Sequence, residues 1–308
     1  MKTKETTLMR NNDRFDFALE KRLAKTDPVL HKKFTESVFG LQHILSNYKL
    51  LFPKYTDHSE LHSMSVINFC NWLIAEQIEK MNADEIYVLL MSCYLHDTGM
   101  GITMKDYEQF SEMIDFGDYF ETHSREDTVR IIRDFHHEFS GCFIRKYAPF
   151  FDIPSEEHLN AIINTSRGHR KTNLKDETVY PIEYKLSNGN TVCMPYLAAL
   201  IRLADEIDVA AARNPVLLYD LESVMDDIVE YIENKKLLSV HNLFVDREEF
   251  TVIAEETEDM ITESIHKMVN KMQMTLDQCR DAVNGRTPFV ITQERVILKY
   301  ITVGSETE

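Results

Sequence analysis

Tyr94-Leu95-His96-Asp97-Thr98-Gly99-Met100 closes an apolar helix with an imidazole next to a carboxylate, and the reading of the whole chain turns on this stretch. Upstream, Ile86, Leu89, Leu90 and Cys93 recur at helical spacing, and the same stripe runs on to Asp97, so the carboxylate projects from a buried face. A lone carboxylate taken out of water costs several kcal/mol or shifts its pKa until it neutralises. A bound cation is one of the few partners that removes that cost. For an isolated His-Asp pair the alternative is a polar C-terminal cap ahead of Gly99, so the remainder of the chain has to decide.

The 308 residues suit one large domain or two, and 44% hydrophobic residues suit a soluble globular chain with a core of its own. No apolar run reaches the roughly 18 residues of a membrane span, and the opening Met-Lys-Thr-Lys-Glu-Thr-Thr lacks the apolar centre of a signal peptide, so a cytosolic location is expected. Cys70, Cys93, Cys142, Cys193 and Cys279 are odd in number, widely spaced and without any Cys-x-x-Cys, which reads as reduced core cysteines. The net charge of −17 argues against duplex DNA or anionic lipid as partner, because both need a basic surface. It leaves a small phosphorylated ligand admissible, since a metal site supplies local positive charge whatever the global sign.

Working outward, residues 1–28 read as a tail followed by a short helix over 15–25. Pro28 opens a longer helix in which Leu30, Phe34, Val38, Leu41, Leu45 and Tyr48 keep helical period to about Phe52, where Pro53 stops it. Thr56 or Asp57 can cap the next helix, whose inward face carries His58, His62, Val66, Phe69 and Leu73. Residues four apart on a helix are neighbours, so both histidines can reach one centre. Asn82 to Asp84 cap the helix that delivers His96 and Asp97; residues 105–123 show no clear period. Ser124-Arg-Glu-Asp127 resembles a capping box before a helix with His136 and His137 in mid-course. Pro154 and Ser155 start a helix that runs out at Arg167-Gly168-His169-Arg170-Lys171. A hairpin over 179–194 turns at Ser187-Asn188-Gly189. Pro195 then opens a helix whose buried row holds Leu197, Ile201, Ala204, Asp205 and Asp208. From Pro215 the texture changes: an acidic helix over 217–232, strands at 237–245 and 250–253, a long helix over 256–283 and strand again over 290–301 read as a smaller α+β subdomain without ligand-like clusters.

Four helices thus each bring His or Asp from an apolar face, in the order His62, His96-Asp97, His136/His137 and Asp205, with His169 at a helix exit. The stretches that carry the pattern are Tyr55-Thr-Asp-His58-Ser-Glu-Leu-His62-Ser, Leu95-His-Asp-Thr-Gly-Met100, Arg133-Asp-Phe-His-His-Glu-Phe-Ser140 and Arg202-Leu-Ala-Asp-Glu-Ile-Asp208. Together they resemble the HD superfamily of metal-dependent phosphohydrolases, in the bacterial branch found beside or fused to ATPase modules of the heat-shock-chaperone type. The likeness spans residues 34–213. It implies a mainly α fold, an HD-type helical bundle over residues 29–215 with a small β-hairpin, and places the C-terminal α+β subdomain at 216–308.

Carried over residue by residue, the resemblance implies metal ligands at His62, His96, Asp97 and Asp205, with His137 and His169 where two-metal members have extra ligands. His137 is preferred over His136 because the family's His stands three residues before a small residue, here Ser140. Cyclic-dinucleotide-cleaving relatives carry Lys just after His-Asp-x-Gly and a Gly-Tyr-Pro signature. Met100 occupies the first position and the second is missing, which disfavours cyclic di-GMP hydrolysis. Mixed imidazole and carboxylate ligation suits one or two divalent ions among Mn, Fe, Co, Ni, Zn and Mg. The expected chemistry is hydrolysis of a nucleotide or related phosphoester, with Asp97 shared between ions and His58, Arg133, Arg167 or Arg170 neutralising phosphate or protonating the leaving group. The competing readings are a nucleotide-sensing regulatory module that binds without turnover and a helical scaffold without metal. A homo-oligomer or a chaperone-type ATPase partner is a further expectation of the resemblance.

Overall fold

The structure is a computed structural model and describes residues 17–52, 58–170, 172–209 and 228–301. The expectations placed on Pro53, Thr56, Asp57, Lys171, Pro215 and the first part of the 217–232 helix lie outside the described residues. The fold is mainly helical, with two small sheets among the described residues. In chain order the helices are α1 (Ala18–Thr26), α2 (Pro28–Leu45), α3 (Tyr48–Leu51), α4 (Glu60–Ile74), α5 (Ala83–Leu95), α6 (Met104–Ser111), α7 (Thr128–Tyr147), α8 (Glu156–Arg167), α9 (Met194–Ile207), α10 (Ile228–Ser239) and α11 (Asp259–Val283). The strands are β1 (Tyr184–Lys185), β2 (Thr191–Val192), β3 (Val240–Val245), β4 (Glu249–Glu255) and β5 (Arg295–Ile301).

The bundle is built around two helices that are buried on every side. In α5 all residues from Asp84 to Leu95 are buried, and in α9 the run from Met194 to Ala204 is. Helices apolar all round belong in the middle of a bundle, and α5 is wrapped by α1, α2, α4, α8 and α9. Local chemistry sets where each begins. The Asn82 side chain accepts the Glu85 amide while Glu85 accepts the Asn82 amide, a capping box that starts α5, and Pro195 in the first turn of α9 costs no hydrogen bond there. Ser155 caps α8 by accepting the His158 amide. The residues expected to be functional then sit at the opposite ends, where α5, α8 and α9 run out.

Several boundaries differ from the sequence reading. The helix opened by Pro28 breaks at Ser46-Asn47, giving α2 and α3. His58 precedes α4 rather than lying on it, because Ser59 is the cap and accepts the Leu61 amide. α7 starts after Asp127, which accepts the Arg130 amide, while Ser124 closes only a local turn to Glu126. The aperiodic stretch hides α6, opened by a capping box of Thr103 and Asp106. The hairpin is shortened to two residues per strand around Gly189, whose φ of +89° suits glycine.

At the C-terminal end β3 and β4 pair antiparallel, and α11 crosses over so that β5 pairs parallel to β4. α11 packs on α9, and Phe289 stacks on Tyr196 with ring centroids 4.2 Å apart. The α+β part is thereby seated against the same helix that carries Asp205. All five cysteines are free thiols, as their spacing suggested.

Candidate metal centre

Where α5 ends, His96 is fully buried and donates its Nδ1–H to the Cys93 carbonyl at 2.9 Å, which leaves the Nε2 lone pair facing inward. Across from it lies His62 from the first turns of α4, its Nε2 3.2 Å from the His96 Nε2. Asp205, from the last turn of α9, brings Oδ1 to 3.3 Å from His62 Nε2 and 4.0 Å from His96 Nε2. Asp97 places Oδ2 3.2 Å from His96 and 3.5 Å from His62. The four residues that the sequence pattern joins therefore converge.

The other oxygen of Asp97 serves a second group. Its Oδ1 lies 3.3 Å from His136 Nε2 and 3.7 Å from His169 Nε2, and those two ring nitrogens are 2.8 Å apart. His169 lies two residues past the end of α8, oriented by its Nδ1–H donating to the Ser166 carbonyl at 2.5 Å. The ring that enters is His136, not His137, which corrects the sequence expectation. The family's spacing of three residues to Ser140 points to the neighbouring ring; His136 stands four residues before Ser140, so these two share the face of α7 that meets Gly99, and Phe135, with φ −113° and ψ 15°, kinks α7 just ahead of them. His137 instead has Nε2 3.6 Å from Glu138 and a buried Nδ1 with no hydrogen-bond partner among the described residues.

Gly99 explains how α7 comes so close. A Cβ there would meet the His136 carbonyl oxygen at 2.1 Å and the Ser140 amide at 2.7 Å. The gap is stitched by the Gly99 amide donating to Ser140 Oγ at 2.8 Å and Ser140 Oγ donating to the His96 carbonyl at 2.6 Å. Gly168 does the same between α8 and α9: a Cβ would lie 2.5 Å from that of Ala198, and Arg202 Nε donates to the Gly168 carbonyl at 2.7 Å. These two glycines set the positions of His136 and His169 through backbone contact.

The donor chemistry fits a divalent cation. The bonded carbonyls can only accept, so His96, His136 and His169 each carry their proton on Nδ1. Burial pushes the His136 pKa down to about 4 and the His169 pKa well below its usual value, so neither ring gains a second proton at neutral pH. The 2.8 Å approach of His136 and His169 then sets two lone pairs against each other, an arrangement relieved by a cation held between these groups and Asp97. Burial alone would raise the Asp97 and Asp205 pKa values, but the facing imidazoles outweigh it and hold both carboxyls well below the usual carboxylate range. Three triads have ligand atoms within 4.8 Å of one another: His58, His62 and Asp97; His62, His96 and Asp205; Asp97, His136 and His169.

The sequence pattern of the family described as HD-CE matches residues 52–288. The chain belongs to the HD-CE family. No curated protein and no solved structure matches the chain. The HD-CE match takes in every residue of the cluster and continues through α11.

Two groups around the HD-CE cluster carry it further. His58 lies at its mouth, with Nδ1 2.6 Å from Asp97 Oδ2. Asp208, just past α9, was read as part of a buried row but not as a site residue; its Oδ2 lies 2.7 Å from His62 Nδ1, and its Oδ1 accepts the Ser65 hydroxyl at 2.9 Å. A carboxylate behind a ligating imidazole fixes the tautomer and raises the basicity of the opposite nitrogen. Its only trace in the sequence is the spacing of three from Asp205, on the same helix face. Of the expected phosphate-binding cations, Arg170 is half-buried and close enough to depress the pKa of His136, after burial and against Asp97. Arg167 is held by Glu138 at 2.6 Å, and Arg133 is exposed. Among the described residues no helix is long and apolar enough to cross a membrane.

Proposed function

We propose that this chain is a metal-dependent phosphohydrolase acting on a nucleotide or a related phosphoester. The observation that carries the reading is the division of Asp97: one oxygen faces His62 and His96, the other His136 and His169. His62, His96, Asp97 and Asp205 would hold one ion and Asp97, His136 and His169 a second, with Asp97 common to both. Divalent ions bound there supply Lewis acidity towards a phosphoryl oxygen and bring water within range of deprotonation near neutral pH.

The protein's own groups supply position and proton transfer. His58 is partly exposed at the cluster and hydrogen-bonded to Asp97, which orients its ring; it serves as the acid for the leaving oxygen. Arg170 at the exit of α8 offsets phosphate charge, with Arg133 at the rim and Arg167 bracing through Glu138. Met100 is buried, so the position that carries Lys in cyclic-dinucleotide-cleaving relatives presents no cation to the ligand. The overall charge of −17 supports a small phosphorylated substrate over duplex nucleic acid or an anionic membrane.

The test is product release from nucleoside mono-, di- and triphosphates and cyclic nucleotides with Mn, Co, Ni or Mg. Turnover that disappears in Asp97→Ala supports the proposal. Tight binding of a nucleotide at the cluster without product would instead make the chain a sensor.

A further inference from the structure

Trp72 stands ten residues beyond His62 on α4, roughly 15 Å away at the helical rise. There the end of α4, the turn that follows it, the edge strand β3 and residues 290–293 enclose a cavity of about 930 Å³. Its walls are largely apolar, with Trp72, Ile74, Val245 and Val290 among them, and Lys80 and Arg247 contribute to its lining. No residue of the His/Asp cluster reaches it.

Three features of this cavity are left without a structural account. Gln293 is only 1% exposed; its Nε2 donates to the Asp246 carbonyl at 2.8 Å, while its Oε1 is buried with no hydrogen-bond partner among the described residues. Buried acceptors are nearly always satisfied in native proteins. Ala75, which also lines the cavity, has φ +46° and ψ −125°, a conformation that a residue with a Cβ rarely adopts and that recurs at ligand-binding positions. Lys80 and Arg247 form no ion pair among the described residues, although the chain carries 51 acidic side chains against 34 basic ones.

A ligand that fits these walls has a flat apolar ring for the indole and an anionic group for the two cations. The cavity volume falls in the range of small-molecule sites. We propose that this cavity is a second nucleotide-binding site, separate from the His/Asp cluster, with the base against Trp72 and the phosphate at Lys80 and Arg247.

Trp72 is the only tryptophan in the chain, so intrinsic tryptophan fluorescence reads this cavity directly. The full chain in EDTA is titrated with AMP, ATP, GMP and GTP, and with tripolyphosphate as the anion without a base. The proposal expects a saturable change with at least one nucleotide and little with tripolyphosphate. Affinity should fall at least tenfold in the double variant Lys80→Ala/Arg247→Ala and stay unchanged in Asp97→Ala. Both cations are exposed and form no ion pair among the described residues, so that double variant keeps its fold, which a thermal melt verifies. No saturable response to any nucleotide, a response undiminished in the double variant, or one lost in Asp97→Ala overturns the proposal. Because the titration is metal-free, its failure leaves the phosphohydrolase reading untouched.

Discussion

Replacing Asp208 by Asn asks whether His62 is held in place for a metal or is simply a buried ring. Asp208 is 6% exposed, bonds His62 Nδ1 at 2.7 Å and takes the Ser65 hydroxyl on its other oxygen. Asn keeps the shape and one acceptor for the Nδ1–H, but removes the charge that makes the opposite ring nitrogen a better donor to a metal. Substituting such outer carboxylates typically weakens metal binding by about 10- to 100-fold, which is roughly 1.4 to 2.7 kcal/mol. Since Asn still accepts, its loss should fall near tenfold. Asp208→Ala also leaves the imidazole N–H and a hydroxyl without this acceptor, so its loss should approach 100-fold, with a further ~1–3 kcal/mol off the stability of the metal-free protein. The assay is competition for Mn against a chromogenic chelator, with a melt in EDTA as the fold control. Wild-type affinity in both variants would refute the assignment of Asp208 as the group that orients a ligand.

Three further outcomes follow from the same geometry. His136→Ala should lower bound metal by one ion per chain while His137→Ala leaves the content unchanged, as counted by elemental analysis; the reverse pattern would restore His137 as the ligand. Gly99→Ala puts a Cβ 2.1 Å from a backbone oxygen that cannot swing away, so it should cost about 1–3 kcal/mol in a denaturant melt and loosen the metal at His136. The third concerns pH in the metal-free protein. The folded-state pKa of His136 is depressed to about 4, so below the unfolded value of about 6.5 the unfolded chain takes up a proton that the folded one refuses. Stability should therefore fall as pH drops from about 6.5 to about 4, by on the order of 3 kcal/mol for this group. His136→Gln should flatten that slope, and an unchanged slope would show that His136 is not held neutral.

What could be read from the sequence was the chemistry that acts within a turn or two. Asn82 and Ser155 cap where they should because a cap needs only its own side chain and the amides that follow it. The apolar stripe of α5 points Asp97 inward, and convergence of His62, His96, Asp97 and Asp205 followed from the family pattern. The errors lie where distant segments decide. The choice between His136 and His137 depends on which face of α7 meets Gly99, and no periodicity in α7 reveals that approach. Asp208 meets His62 across 146 residues of sequence, so its role becomes visible only when α4 and α9 lie side by side. Ser59 caps α4 and leaves His58 ahead of the helix, yet His58 still reaches Asp97. The orphaned Gln293 oxygen has no sequence signature, since burial and missing partners are properties of the packed chain.

The most direct measurement is an anomalous difference map from crystals of the full chain grown with Mn. The account predicts strong density among His62, His96, Asp97 and Asp205, and a second peak beside Asp97, His136 and His169. Crystals that hold Mn elsewhere, with none at Asp97, would contradict it.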